Sequence, residues 1–175
     1  MNAFRVFFFG WMALGIISQI SGTASAAPGD KYAYVDVAKI FDEYQKTKEN
    51  DRILQQTGKK KEQERDALVN EIRQLKDEFV LLSDEAKAKK QETLDAKVRQ
   101  LQDFDKNTRR DLGEERSKAV REIFKDIDDT VQRYGERQGY DLIFNDRALL
   151  YRSSKYDVTT DVLNELNKDY SKKKK

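Results

Sequence analysis

Two adjacent acid pairs, Asp128-Asp129 and Glu114-Glu115, come nearest in this 175-residue chain to the chemistry of a catalytic centre. A carboxylate pair shares acid and base roles, or holds a cation, only when both groups converge on one point. Neighbours on a helix point in different directions, and basic residues surround both pairs, so no converging pair forms. The chain has no Cys and no His, which excludes thiol nucleophiles, imidazole bases, disulfides and the usual zinc, copper and haem ligand sets. No Gly-rich phosphate loop is present. The sequence therefore carries no expectation of a catalytic residue, a metal site or a cofactor.

What remains is binding chemistry. Lys59-Lys60-Lys61 is a short basic run, but Glu62 and Glu64 follow at once, so it reads as a solvated helix face before it reads as a nucleic-acid or lipid patch. Tyr32, Tyr34, Tyr140, Phe144 and Tyr151 offer an aromatic platform; their alternation along strands favours core and subunit contacts. Phe79-Val80-Leu81-Leu82 is the sharpest candidate for binding a partner. Four consecutive apolar residues go right round a helix, so they cannot all face one neighbour. Either some stay exposed, or they close a helical turn by packing over Leu94. Phe104, beside Asp105, completes the candidate set, with a core or solvent-exposed role competing.

The elements that must position these residues follow from composition. Charged and hydrophobic residues each make up 38% of the chain, too polar a balance for one compact ball of this length, so much of the chain must be elongated. A single proline, Pro28, and long stretches of Lys, Glu, Gln, Ala and Leu point to helix and coiled coil.

Residues 1–26 have the pattern of a cleaved secretory signal: Arg5 before an apolar run from Val6 to Ile20, then small residues up to Ala26. An uncleaved anchor is the competing reading, weakened by Ser18, Gln19 and Ser21. Removing the segment takes away Arg5 and no acid, leaving 33 basic and 32 acidic side chains. That near-neutral, interspersed charge argues against a nucleic-acid partner.

Tyr32–Val37 reads as a strand, with Asp36 able to cap a short helix to Tyr44. From Gln45 to Leu82 only Gly58 interrupts a helical pattern, and Leu68, Ile72, Leu75, Phe79 and Leu82 keep heptad spacing. Ser83-Asp84 is the best turn, and a second helix carries Leu94, Val98, Leu101, Thr108, Leu112, Ala119, Ile123, Ile127 and Val131 until Gly135 and Gly139 end it. Folded back at Ser83-Asp84, Leu68 faces Val98, Leu54 faces Leu112, and Lys61 falls opposite Asp105, so the two seams turn polar at one height. Gly58, Lys61, Arg65, Asp105 and Thr108 interrupt the seam, which sets register at the expense of stability. Beyond Gly139, Tyr140–Asn145 and Ala148–Tyr151 read as two strands of a hairpin around Asn145-Asp146-Arg147. A last helix ends near Asn167, and residues 168–175 are expected to be a disordered basic tail.

The expected fold is α+β and mostly helical. A small β-containing body from residues 30–45 and 139–167 carries a long antiparallel helical hairpin over 46–138. Three short strands and two short helices make a thin core, so self-association is expected, with Tyr32, Tyr34, Val35, Leu142, Phe144, Leu149 and Tyr151 as its contacts.

Tyr32–Val37 leading into Ile40-Phe41, the charged hairpin, then Gly139–Asn145, Ala148–Tyr151 and Asp157-Val158-Thr159-Thr160-Asp161-Val162-Leu163 resemble the Skp/OmpH periplasmic chaperones. The specific part is the C-terminal block; the middle is ordinary coiled coil. The resemblance implies a jellyfish-like homotrimer whose bodies share a β core and whose hairpins surround a cavity. Unfolded outer-membrane β-barrel proteins would be held there, without ATP, until delivery to the outer-membrane assembly machinery. The near-balanced charge at the hairpin tip departs from the strongly basic family pattern, so weak or no contact with lipopolysaccharide or membrane is expected. A structural scaffold or adaptor of the cell envelope with one folded partner is the alternative; for a rigid spacer, apolar residues would suit positions 61, 65 and 105 better.

Overall fold

The computed structural model describes residues 29–174, so the reading of 1–26 as a signal lies outside the described residues. Strand β1 spans Tyr32–Val35 and is followed by helix α1 (Val37–Glu43). Asp36 joins them as an N-cap, its carboxylate accepting from the Lys39 amide at 2.8 Å. At Tyr44 the backbone turns extended, with φ −63° and ψ 130°, and helix α2 (Gln45–Val80) leaves in a new direction. Helix α3 (Asp84–Gln138) returns after the turn Leu81–Ser83. With 36 and 55 residues, the two helices extend about 54 Å and 82 Å. No helix among the described residues is long and apolar enough to cross a membrane.

Helix α3 stops where the sequence can turn left-handed. Gly139 takes φ 68°, and the amides of Gly139 and Tyr140 bond back to the carbonyls of Glu136 and Gly135. Strand β2 (Leu142–Asn145) then lies parallel to β1, with Tyr32 beside Leu142 and Tyr34 beside Phe144. Helix α4 (Thr159–Lys173) closes the body.

Side chains alternate across this two-stranded sheet. Ala33, Val35 and Ile143 face the helices, where Ile40, Tyr44, Ile123, Ile127, Val158, Val162 and Leu166 form the core. Tyr32, Tyr34, Leu142 and Phe144 face the other way. Gly135 lets β2 approach α3, since a β-carbon there would stand 3.2 Å from Ile143 Cδ1.

Two expectations are corrected. Ala148–Tyr151 is not a strand: Asn145 accepts from the Arg147 amide at 3.2 Å and winds Asp146–Ala148 into a 3-10 turn, so the chain leaves the sheet instead of pairing back on β2. The only further sheet contact among the described residues is an isolated bridge between Tyr34 and Asp157. Residues 168–173 are not a disordered tail, because α4 continues through them and Tyr170 packs edge-on against Tyr44 with ring centres 5.7 Å apart.

Candidate functional site

The hairpin is gripped at its two ends. Near the tip the buried residues are Ile72 of α2 and Leu94 of α3; at the root they are Thr47, Ile123, Ile127, Thr130 and Tyr134. Between these grips neither helix buries a residue, and the ladder is carried by half-buried Leu54, Leu68, Val98, Leu101 and Leu112 with cross-pairs of opposite charge. Lys97 meets Glu71 at 2.6 Å, Lys90 meets Glu78 at 2.5 Å, and Arg65 meets Asp105 at 3.0 Å.

That last pair corrects the expected register contact. Asp105 is held by Arg65, whereas Lys61 pairs with Glu64 at 2.8 Å and lies 5.4 Å from the centre of the Phe104 ring. Arg65 makes this contact through Nε alone, as a single charge-assisted bond. Phe104 is half-buried and lines an open, partly polar cleft of about 280 Å³ with Gly58, Lys61, Arg65 and Thr108.

At the tip the apolar run divides. Phe79 and Leu82 are half-buried, while Val80 is 74% and Leu81 87% exposed. Leu94 is buried, so it belongs to the hairpin seam and presents nothing to a partner. The first α3 turn carries Asp84 and Glu85 at its positive end, beside Lys87 3.6 Å from Asp84. The tip thus offers two aliphatic side chains on a locally charge-balanced surface.

The body has a second apolar surface. Tyr32, Tyr34, Leu142, Phe144, Leu149 and Tyr151 line an open groove of about 450 Å³ on the sheet face turned away from the core. Val35, expected among them, points instead into the core and is 3% exposed. The expectation missed Arg152, Ser153 and Tyr156, which complete the groove. Arg152 bonds the buried Asp146 carboxylate at 2.6 Å and stands 5.5 Å from the Tyr34 ring centre. Their signal in the sequence is faint: an acid and an arginine six residues apart in a segment with no period. Leu150, beside the groove, is fully exposed. Strand β2 has β1 as its single strand partner, leaving a sheet edge beside this apolar face.

The bond from Tyr32 to Asp30 raises the Tyr32 phenol, and burial, then Asp157, raises that of Tyr34. No group of three or more acids able to hold a metal ion occurs among the described residues.

A long charged hairpin rooted in a small parallel strand pair defines a particular class. Residues 31–166 match the model of the family described as outer membrane protein (OmpH-like), and the chain belongs to that family. It is similar to the chaperone protein Skp of Pectobacterium atrosepticum, at 27% identity over 168 residues, covering 89% of this chain and 98% of that one. Among solved structures, a candidate outer membrane chaperone (OmpH-like) from Caulobacter crescentus CB15 shares the fold with a TM-score of 0.68 at 17% identity, covering 94% of this chain and 92% of the other.

Proposed function

We propose that this chain is an ATP-independent holding chaperone of the periplasm, exported with cleavage of its signal near Ala26 and active as a homotrimer. It keeps unfolded outer-membrane β-barrel proteins from aggregating until they reach the assembly machinery. The observation that carries this reading is the pairing of two unfilled apolar surfaces at opposite ends of one long arm: the groove on the body and Val80-Leu81 at the tip.

The two surfaces have different roles. The groove joins an open sheet edge to aromatic side chains of which Tyr32, Phe144, Tyr151 and Tyr156 stay exposed in the single chain, which suits a second and third copy of the chain. The tip offers only two exposed aliphatic residues, together worth at most about 5 kcal/mol on full burial. That is weak for one hairpin, and it becomes useful when several hairpins engage one client at once. Weak dispersed contacts also leave an unfolded client free to rearrange, as a holding function requires.

The deciding experiment dilutes a urea-unfolded outer-membrane β-barrel protein into the purified mature chain, following light scattering and the mass of the soluble complex. Suppressed aggregation without ATP, with three chains per client, is the expected result. Precipitation of the client regardless would overturn the proposal in favour of the envelope scaffold.

A further inference from the structure

The root of the hairpin is held by the last two turns of the chain. Helix α2 begins at Gln45 just after the break at Tyr44, and Tyr44, in the N-cap position, makes no side-chain capping bond. The missing acceptor comes from α4: Asn167 Oδ1 takes the Gln45 amide hydrogen at 2.9 Å, 122 residues away in sequence. One turn further on, the Tyr170 hydroxyl donates to Glu49 at 3.0 Å while its ring packs on Tyr44. Lys174 then reaches both Glu49 oxygens, at 2.7 and 2.6 Å. From α3, Asp126 accepts from the Tyr44 hydroxyl at 3.2 Å and from Lys46 at 2.8 Å, so the joint is held from two sides.

We propose that residues 167–174 are a brace that fixes the angle at which the hairpin leaves the body. The buried core residues of α4, Val162, Leu163 and Leu166, all precede the brace, and within it only Tyr170 touches the core, so body packing rests mainly on the first part of the helix and the hairpin joint on the last. Residues beyond Leu166 contribute a cap and an ion pair to the first turns of α2, an aromatic edge contact to Tyr44 just before it, and the Asp169 carboxylate to Arg133 of α3 at 2.9 Å; none of these contacts falls on the sheet. Removing them frees rotation about Tyr44 while leaving the sheet and its helix cover in place. In the assembly proposed above, this angle sets how wide the space between hairpins opens. That consequence rests on the chaperone reading; the brace itself does not.

The test uses the mature full-length chain, whose lack of cysteine permits clean two-site spin labelling at Glu85→Cys on the tip and Lys155→Cys on the body, diluted into unlabelled chain. Two brace variants are compared: the triple substitution Asn167→Ala, Tyr170→Phe, Glu49→Gln, and a chain ending at Leu166. Both are expected to broaden the tip-to-body distance distribution, and the triple variant to speed amide exchange at Gln45–Lys48 about fivefold with helix content unchanged. If the shortened chain loses its helices, the triple variant decides alone. An unaltered distance distribution and unaltered exchange in the triple variant would overturn the brace. Neither readout involves a client, so a failed holding assay leaves this result standing.

Discussion

Arg65 on α2 and Asp105 on α3 meet at 3.0 Å across the middle of the hairpin, where a continuous heptad seam would place two apolar residues. Both are partly exposed, so the pair contributes roughly 0–1 kcal/mol and holds register more than it holds the helices together. Replacing both by leucine should add apolar contact to the seam between the tip and root grips. A gain of about 1.5 kcal/mol is expected, which a melting curve would record as a rise in Tm of about 4 °C; no rise would mean that the polar middle is not the weak part of the arm.

The glycines separate in their expected effects. Nothing lies within 4 Å of a β-carbon built on Gly58 or Gly113, so alanine at either should stabilise its helix by about 1 kcal/mol. Gly139 sits at φ 68°, where alanine is strained and should destabilise by about 1–2 kcal/mol. Urea unfolding of the three single variants tests both signs together.

Leu166 is 2% exposed where α4 meets the core, and truncation to alanine should cost about 3 kcal/mol by lost transfer and a residual cavity. Val80→Ser and Leu81→Ser, at the exposed tip, should leave stability within about 0.5 kcal/mol. Under the proposed function the same two tip changes should weaken client holding, measured as light scattering at fixed chaperone concentration. Stability loss at the tip equal to that at Leu166 would contradict the exposed placement.

Two groups make stability depend on pH in opposite directions. The bond from Lys174, then that from Tyr170, holds the Glu49 carboxyl below its ordinary value. Its contribution is therefore present above the ordinary carboxylate range and lost as pH falls through the depressed value, so the hairpin root should loosen in acid. Burial, then Asp161, pushes the Tyr134 phenol up to about 12. Its contribution is present below the ordinary tyrosine value and lost as pH climbs towards 12. Amide exchange at Gln45–Lys48 reports the first and near-ultraviolet spectra during alkaline unfolding the second; Glu49→Gln should flatten the acid response.

The helices were legible because their signals are local. Heptad spacing at Leu68, Ile72, Leu75, Phe79 and Leu82 needs no tertiary information, and Gly139 marks a helix end by backbone sterics alone. Ala148–Tyr151 was misread because an apolar run of four fits a strand or an exposed loop equally well, and the capping bond that the Arg147 amide donates to Asn145 Oδ1 turns the chain out of the sheet before it. The tail was misread because Lys172–Lys175 looks solvated, while the residues that order it, Glu49 and Tyr44, lie more than 120 positions earlier. Lys61 was matched to Asp105 by height along the arm, whereas the carboxylate is taken by Arg65, one turn further along α2. The groove on the body was half-visible: the strand aromatics were found by alternation, whereas Arg152 and Tyr156 come from a segment with no periodicity to read.

The parallel pairing of β1 with β2 carries a consequence for the order of events as the chain folds. Lys31 and Asp141, which bond at the start of the sheet, are 110 residues apart, so the sheet cannot begin until nearly the whole chain is present. Closing a loop of that length through random motion is slow and entropically unfavourable. The antiparallel arm changes the problem: once α2 and α3 zip from their tip, residues near Tyr44 and Tyr134 are carried to the same place, and only short flanking segments remain to be ordered. Pairing of the arm therefore shortens the loop that the sheet must close, from the 110 residues between Lys31 and Asp141 to the short segments that flank Tyr44 and Tyr134.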